Sequence, residues 1–409
     1  MAANKKRKNE PRKPSGIIYA VAYVFGTLFL KIFYGFKIDR REIRKLKGPM
    51  LVLSNHQSNL DFLILAATMY PVRLNYLVSS YFFRNSFFNV LLYLMGAISK
   101  KQFSPDTGAI KNAMKVISRG GKVAIFPEGQ VCYSGRNCDI DDNIAKLIKK
   151  LGVMTVVVEI RGDHLTMPKW ANGASYRGRI ETRASVLLTP GDIKEFSVEE
   201  IAQKTLNSLT YNEYEWQRGA MIKYRPKFRK TEGLDKIIHS CPACRSDYAI
   251  KARDNALYCE KCGYEVKANR YGFFEAVKGE LVYDNPADWY TEQKERLTQR
   301  IKADELFPFS SDCTLYRTVQ GKGGYAPCGE GVMALDWSGI SFTGTRDGEP
   351  FAITTNLESQ TNIPFSQDCW AADIHSETEN YGFAPADPRQ MIDFIEGYAI
   401  AHKIKLMQN

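Results

Sequence analysis

The sequence predicts an α/β domain in which helices flank a mixed sheet, followed by a small cysteine-bearing ribbon and a C-terminal α+β module. Three observations support this division. Between Pro49 and Leu209, short apolar runs alternate with amphipathic runs, as strands alternate with helices in α/β folds. Two Cys-x-x-Cys pairs follow between Cys241 and Cys262. From Tyr271 the sequence is strand-like and rich in glycine until a last amphipathic segment.

Within the α/β domain, residues 48–210, the pattern predicts four strands and five helices. The strand candidates are residues 50–54, 74–79, 122–126 and 153–160, and the helix candidates are residues 59–69, 86–95, 106–118, 141–151 and 197–209. Asp106 can cap its helix, and Ile110, Met114 and Ile117 recur behind it at helical spacing. A final helix from residue 388 to about 404 carries one apolar stripe, so we expect it to cover a small sheet, with a pleckstrin-homology-like subtype as one form.

The positive charge of the chain is concentrated at its start. Residues 1–47 hold 13 Lys and Arg against 3 Asp and Glu, a net of +10 out of +11 for the whole chain. A basic leader on a nearly neutral body favours an anionic membrane surface as partner. Residues 240–263 carry nearly balanced charges, so we expect no nucleic acid partner. Residues 1–15 are predicted to form a basic disordered tail.

Residues 16–36 are almost wholly apolar, interrupted only by Lys31. By length they can just span a bilayer, but basic residues flank both ends, and the positive-inside rule then keeps both ends in the cytoplasm. We expect an interfacial or re-entrant helix with its basic flank over residues 16–47. A single membrane span and a buried core helix are the alternatives. In the membrane cases the protein is peripheral or monotopic on the cytoplasmic face of a membrane, which is the inner membrane if the source is bacterial.

Four of the nine cysteines, Cys241, Cys244, Cys259 and Cys262, form two knuckles separated by 14 residues. Four thiolates in a tetrahedron suit Zn²⁺ and leave it no open position for water, so the spacing predicts a structural zinc ribbon over residues 238–268. Two disulfides, which need an oxidising compartment, are the alternative, and a redox pair is a third. A polar connector over residues 211–237 precedes the ribbon, and the C-terminal module takes residues 271–409.

His56 and Asp61 lie at the spacing H-x-x-x-x-D directly after a predicted buried strand. A neutral imidazole can take a proton from a hydroxyl, and a nearby carboxylate fixes its tautomer and stabilises the imidazolium that forms. The alternatives are a polar loop histidine and a first-turn carboxylate favoured by the helix dipole.

Two further motifs follow this pair. The stretch Phe126-Pro127-Glu128-Gly129 ends a strand with one carboxylate at the carboxyl edge of the sheet, where α/β folds bind ligands. A surface turn is the alternative. Between the two motifs lies a cationic turn that contains Lys100 and Lys101, for which a solvated loop is the alternative.

Taken in this order, the N-H-x-x-x-x-D motif, the Gly-led basic block and F-P-E-G resemble the glycerophospholipid acyltransferase family over about residues 16–210. With its cysteine knuckles the chain is similar to a bacterial branch that carries a zinc ribbon and a C-terminal module. The resemblance implies a membrane-associated enzyme that moves a fatty acyl group from acyl-CoA or acyl-carrier protein to the hydroxyl of a lysophospholipid, with 1-acylglycerol 3-phosphate as the acceptor. His56 would be the general base and Asp61 its orienting partner, without a covalent acyl-enzyme, and backbone amides near the site would hold the developing oxyanion.

The resemblance also implies an acceptor site formed by Asn55, Phe126, Pro127, Glu128 and Gly129. The sequence departs from the family pattern where Gln130, Val131 and Cys132 replace Thr-Arg-Ser, and where the basic block ends in Gln102 instead of arginine. We expect Lys100, Lys101 and Arg136 to replace the lost phosphate contacts, although a lysine lacks the bidentate fork of arginine. Because the arginine is missing, a lipid-binding or scaffolding protein on a degenerate acyltransferase fold is the alternative function.

Overall fold

The structure is a computed structural model that describes residues 11–84, 86–141, 143–171, 173, 175–225, 229–304, 307–319, 324–375 and 380–408. Most of the predicted basic tail (residues 1–10) and part of the predicted connector (residues 226–228) lie outside the described residues. The chain divides into two compact units. Unit 1 comprises Met1–Gln102, Asp106–Met167 and Arg177–Ile222, and unit 2 comprises Phe103–Pro105, Pro168–Tyr176 and Lys223–Asn409.

Unit 1 is built on a seven-stranded mixed sheet. Its strands are β1 (Lys37–Asp39), β2 (Met50–Ser54), β3 (Asn75–Ser79), β4 (Ile98–Lys100), β5 (Lys122–Ile125), β6 (Met154–Arg161) and β7 (Glu181–Leu188). They lie in the order β1-β7-β6-β2-β5-β3-β4. All neighbouring pairs are parallel except β6 with β7. All five residues of β2 are buried, as expected for a central strand of a sheet that is covered on both faces.

The helices of unit 1 connect these strands and cover both faces. They are α1 (Gly16–Tyr34), α2 (Asp61–Met69), α3 (Ser86–Leu94), α4 (Thr107–Ser118), α5 (Asn143–Leu151), α6 (Pro190–Glu195), α7 (Val198–Leu209) and α8 (Glu213–Ala220). Alternate residues of β2 point to opposite faces: Leu51 and Leu53 pack with α4, α5 and α7, and Met50 and Val52 pack with α2. Capping fixes the helix starts, since Asp106 accepts from the amide of Ala109 at 2.9 Å.

The structure confirms the predicted strands and helices of this unit, with ends that differ by one or two residues. Prediction missed three strands, β1, β4 and β7, and two short helices, α6 and α8. The strand β7 makes the sheet mixed, because it runs antiparallel to β6.

The helix α1 covers the predicted apolar segment. Ser15 caps its start, and Gly35, at φ +52°, ends it in the left-handed conformation that favours glycine. It is the one helix within the described residues that is long and apolar enough to cross a membrane. Part of its surface packs against the rest of unit 1, since Gly26 lies against Leu63 of α2. Other side chains of α1 that are large and apolar are exposed: Ile17, Val21, Val24, Phe25, Leu28, Phe29, Ile32 and Phe33.

Unit 2 holds two antiparallel sheets. The smaller comprises β8 (Ile250–Arg253), β9 (Ala256–Cys259), β10 (Glu265–Ala268) and β11 (Phe274–Lys278). The larger has the order β15-β14-β13-β12-β17-β16, from strands β12 (Phe309–Thr318), β13 (Tyr325–Asp336), β14 (Gly339–Arg346), β15 (Glu349–Asn356), β16 (Ala372–His375) and β17 (Asn380–Pro385).

Two helices accompany these sheets, α9 (Pro286–Lys302) and α10 (Met391–Gln408). The predicted final helix is confirmed as α10, preceded by a short 3₁₀ turn at Pro388–Gln390. The expectation of strands alone between residue 271 and that helix is wrong, because α9 lies between them. The α+β character of the module is present, and the pleckstrin-homology-like subtype stays a prediction.

Candidate active site and cysteine cluster

The carboxyl ends of three neighbouring parallel strands bring the predicted catalytic motifs together. Strands β6, β2 and β5 are adjacent and parallel, with Ser54 opposite Val158 and Leu53 opposite Ile125. The residues that follow them, from Asn55, from Phe126 and from Gly162, therefore meet at one edge of the sheet. Sheet topology thus places His56, Asp61 and the Pro-Glu-Gly turn in one region.

His56 and Asp61 form a hydrogen-bonded pair. Nδ1 of His56 lies 2.7 Å from Oδ2 of Asp61. The same carboxylate oxygen accepts the backbone amides of Gln57 at 2.5 Å and Ser58 at 3.0 Å, so the turn before α2 wraps around it. The imidazole side chain is 21% exposed and the carboxylate is fully buried. The ring is thus the accessible end of the pair, and its Nδ1 faces Asp61.

Phe126 and Glu128 hold the histidine from the neighbouring strand. The Phe126 ring stacks on the imidazole with centroids 4.4 Å apart and planes 22° apart. The buried Glu128 carboxylate accepts the His56 amide, the Asn137 side-chain amide and the Cys138 amide, each at 2.8 Å. Burial raises the pKa of Glu128 to about 7. Glu128 is therefore turned toward protein backbone, and it acts on the site through the loops it joins.

Other predicted substrate residues also face the protein interior. The Asn55 side chain donates to the carbonyl of Ile160 and accepts its amide, both at 2.8 Å, and so clamps β2 to β6. The carbonyl of Pro127 accepts the amide of Asp141 at 3.2 Å. The side chain of Asn55 is 1% exposed, and its role in substrate binding stays a prediction.

The backbone amides around the histidine are also engaged. Those of His56, Gln57 and Ser58 donate to Glu128 and Asp61. The amide of Gly129 donates to the Phe126 carbonyl, and that of Cys132 donates to the His56 carbonyl at 2.8 Å. These five amides are therefore hydrogen-bonded within the protein, and the backbone oxyanion donors stay a prediction.

Comparison with known proteins bears on unit 1. Residues 35–161 match the acyltransferase family model. A chloroplastic 1-acyl-sn-glycerol-3-phosphate acyltransferase of Arabidopsis thaliana is 23% identical over 163 residues, 39% of this chain and 45% of that protein. Its counterpart from Brassica napus is 24% identical over 165 residues, 39% of this chain and 47% of that protein. The chain thus spans less than half the length of either relative.

Among solved structures, the 1-acyl-sn-glycerophosphate acyltransferase PlsC from Thermotoga maritima aligns with a TM-score of 0.38 and 18% identity, over 46% of this chain and 78% of that chain. The chain is thus similar to acyltransferases through a family match over residues 35–161 and through two relatives named as 1-acyl-sn-glycerol-3-phosphate acyltransferases.

The predicted basic block lies at the end of β4. Because β4 is parallel to β3, Lys100 emerges at the same sheet edge as His56. The Lys101 side chain is exposed, and its amide donates to Asp106 at 2.9 Å. Gln102, which stands where the family has arginine, donates its side-chain amide to the Gly129 carbonyl at 2.8 Å. This bond joins the basic block to the Pro-Glu-Gly turn. Arg136 is half-buried and pairs with Asn212 in an isolated β-bridge.

Sequence reasoning missed a buried polar layer behind the pair. It contains Ser58, Asp163, Cys132, Gln57 and His164, all fully or almost fully buried. Ser58 donates its hydroxyl to Oδ2 of Asp163 at 2.5 Å. Cys132 Sγ lies 3.3 Å from Gln57 Oε1 and 3.4 Å from His164 Nδ1. Burial raises the pKa of Cys132 well above its usual value and lowers the pKa of His164 to about 3. Both groups are therefore neutral at pH 7, so this thiol is not an activated nucleophile.

In unit 2, the sulfur atoms of Cys241, Cys244, Cys259 and Cys262 all lie within 4.8 Å of one another. All nine cysteines of the chain are free thiols. The closest pairs join the two knuckles: Cys241 to Cys262 and Cys244 to Cys259, each at 3.7 Å. A Zn–S bond of about 2.3 Å gives a tetrahedron with edges of about 3.8 Å, so the cluster has the dimensions of a tetrathiolate metal site. The amide of Lys261 donates to Cys259 Sγ at 3.4 Å, which suits a thiolate.

Proposed function

We propose that unit 1 transfers a fatty acyl group from a thioester, acyl-CoA or acyl-carrier protein, to the hydroxyl of a lysophospholipid, with 1-acylglycerol 3-phosphate as the leading acceptor. The observation that carries the proposal is the 2.7 Å contact between His56 Nδ1 and Asp61 Oδ2 at the carboxyl edge of a sheet within an acyltransferase-family match. The names of the two plant relatives support the choice of acceptor.

In the proposed mechanism, His56 is the general base. With Nδ1–H donating to Asp61, Nε2 takes the proton of the acceptor hydroxyl while its oxygen bonds to the thioester carbonyl carbon. The tetrahedral adduct then breaks its C–S bond, and the leaving thiolate takes the proton from the imidazolium. The products are an ester and a free thiol, and the enzyme returns to its initial state. Asp61 stabilises the imidazolium, and the stacked Phe126 restrains the plane of the ring.

The test is a donor-by-acceptor panel on detergent-purified protein. Acyl-CoA and acyl-carrier protein are each paired with lysophosphatidate, other lysolipids and glycerol 3-phosphate. His56→Asn places an amide donor near Asp61 but removes Nε2, so we expect a loss of at least about 100-fold in kcat. His402→Asn is the matched control, because His402 lies on α10 and bonds to the carbonyl of Leu357. If His56→Asn transfers acyl groups with the kcat of the wild type, the proposal that His56 is the catalytic base fails, and the lipid-binding alternative is favoured.

Acceptor recognition is the second part of the proposal. We infer that Lys100, Lys101 and Arg136 neutralise the acceptor phosphate in place of the family's arginines. Lys101→Ala should then raise the KM for a phosphorylated acceptor by about tenfold, a usual effect of a lost charge-assisted contact, without changing the KM for an uncharged acceptor. Lys111→Ala, an exposed lysine of α4, is the control. An unchanged KM in Lys101→Ala would refute this assignment.

Membrane association and zinc complete the proposal. The exposed apolar side chains of α1 support peripheral or monotopic association with an anionic membrane surface at the cytoplasmic face. The dimensions of the four-cysteine cluster support Zn²⁺ held by Cys241, Cys244, Cys259 and Cys262. With four thiolates the ion would supply folding energy to the ribbon.

A further inference from the structure

Two carboxyl groups lie side by side beneath the proposed general base. Asp61 is the first residue of α2, the helix that follows β2. Asp163 follows β6, the strand beside β2. Both residues are 0% exposed, and Ser58 joins them: its amide donates to Oδ2 of Asp61 at 3.0 Å and its hydroxyl donates to Oδ2 of Asp163 at 2.5 Å. Like charges at this separation in a buried site cannot both persist, so the pair must hold a proton.

The contacts around the pair indicate where that proton lies. Oδ2 of Asp61 accepts the His56 ring and two backbone amides, whereas Oδ2 of Asp163 accepts only the Ser58 hydroxyl among the contacts described. The other oxygen of each carboxyl, Oδ1, is buried and has no other partner within the described part of the chain. A proton shared between the two carboxyl groups would give these unpartnered oxygens a hydrogen bond. Because Asp61 has more donors, it takes the negative charge and Asp163 takes the proton.

We propose that Asp163 is a positioning residue, which remains a carboxylic acid and donates its proton to Oδ1 of Asp61, so that Asp61 stays ionised and accepts Nδ1–H of His56. Ser58 fixes the orientation of the Asp163 acid. Its hydroxyl donates to Oδ2 of Asp163, and its oxygen accepts the Leu60 amide at 2.9 Å. This inference rests on the proposed function, because it assigns a task to a residue behind the proposed base.

The titratable groups around the pair agree with this assignment. Burial raises the pKa of Asp163 well above its usual value. Burial also raises the pKa of Asp61 to about 7, opposed by the hydrogen bonds from Asp163 and from the amides of Ser58 and Gln57. The groups that face the pair from other elements are His56, Glu128 after β5 and Glu213 on α8. Glu213 faces Asp163, and its negative charge favours a neutral Asp163, whereas the charge of Glu128 acts on Asp61.

The test compares two substitutions at one position. In Asp163→Asn the amide N–H₂ can donate to Asp61 and the amide carbonyl can accept from Ser58, so this variant imitates the protonated acid. It should keep kcat/KM within about threefold, the worth of one neutral hydrogen bond, and should keep the wild-type pH profile. Asp163→Ala removes the donor and should lose about 10- to 100-fold in kcat/KM. The acidic limb of its profile of kcat/KM against pH should move to higher pH, because Asp61 then holds a proton itself.

A spectroscopic measurement reads the proton without activity. The infrared difference spectrum of wild type minus Asp163→Asn at pH 7 should contain the carbonyl band of a protonated carboxylic acid. Absence of that band overturns the inference, as does an Asp163→Asn variant that folds but is as slow as Asp163→Ala. An Asp163→Ala variant with wild-type rate and pH profile also overturns it. If the wild type transfers no acyl group, the proposed function fails, and the infrared band alone then decides whether the proton is shared.

Discussion

Removal of the metal from the four-cysteine cluster should unfold the ribbon of unit 2. The S···S distances of 3.7 Å match the edge of about 3.8 Å expected for zinc tetrathiolate, so little rearrangement is needed to bind the ion. Structural zinc sites contribute about 10–16 kcal/mol, as much as or more than the 5–15 kcal/mol that stabilises a typical domain. The ribbon also contacts α9, where Gln293 accepts the amides of His239 and Ser240. Loss of zinc should therefore destabilise α9 as well.

The assay measures metal content and thermal unfolding of three proteins. Wild type should contain about one zinc per chain, and a strong chelator should lower its melting temperature by more than about 10 °C, since a loss of 1 kcal/mol moves the midpoint by about 2–4 °C in a domain of this size. Cys244→Ser should contain little zinc and melt like the chelated protein. Cys328→Ser, which changes a thiol on β13 outside the cluster, should behave like wild type. If wild type lacks zinc, or if both variants melt alike, the argument from the geometry is wrong.

Three other predictions concern unit 1. Asn55→Ala should cost about 3 kcal/mol of unfolding free energy in urea titrations, because two buried backbone groups of β6 lose their partner. Substitution of the exposed Asn143, at the start of α5, by alanine should cost under about 0.5 kcal/mol. Burial raises the pKa of Glu213 from 4.5 to about 7, so the folded state holds this proton more tightly and loses stability as pH rises between those values. In Glu213→Gln the fall in unfolding free energy from pH 5 to pH 8 should shrink by about 3 kcal/mol, and an unchanged fall contradicts the assignment. Phe25→Gln with Leu28→Gln should weaken sedimentation with anionic vesicles by about 100-fold or more, since two apolar side chains contribute about 3 kcal/mol or more, and unchanged binding would exclude this face.

The main elements of unit 1 follow from local patterns, and the missed ones have physical reasons. Strand β2 is a continuous apolar run, so its limits were predictable from residues 50–54 alone. Strand β7 begins Glu-Thr-Arg, and such polar residues hide a strand whose pairing depends on β6. Helix α9 buries Trp289, Gln293, Leu297 and Ile301 at four-residue spacing, but one of the four is polar and the rest of the helix is highly charged. Its stripe therefore looks weak in the sequence.

In the candidate active site, too, some contacts follow from the local sequence and others depend on strand pairing. His56 and Asp61 are five residues apart, so one turn of chain brings them together, and the two motifs that follow them in the sequence added the support that the spacing alone did not give. Asp163 lies far along the chain and reaches Asp61 only because β6 pairs with β2. No local pattern contains that adjacency. For Asn55 the family resemblance implied an acceptor-site role, and no local pattern shows that its side-chain amide bonds to the backbone of Ile160 on the neighbouring strand.

The turn that lacks the family's arginine is packed in the protein interior. Val131 stands where the family pattern has arginine, and it is buried at 8% exposure. The next residue, Cys132, is fully buried and is tied to the His56 carbonyl. A guanidinium at position 131 would lose its hydration there, which is costly without a partner. In the proposed function the acceptor headgroup is therefore bound from the β4 side, where Lys100 and Lys101 lie and Gln102 donates to the Gly129 carbonyl. Lysine neutralises an anion without the two-pronged geometry of arginine, so we expect this chain to discriminate less strictly between a phosphate monoester and other anionic headgroups than an arginine-bearing relative does.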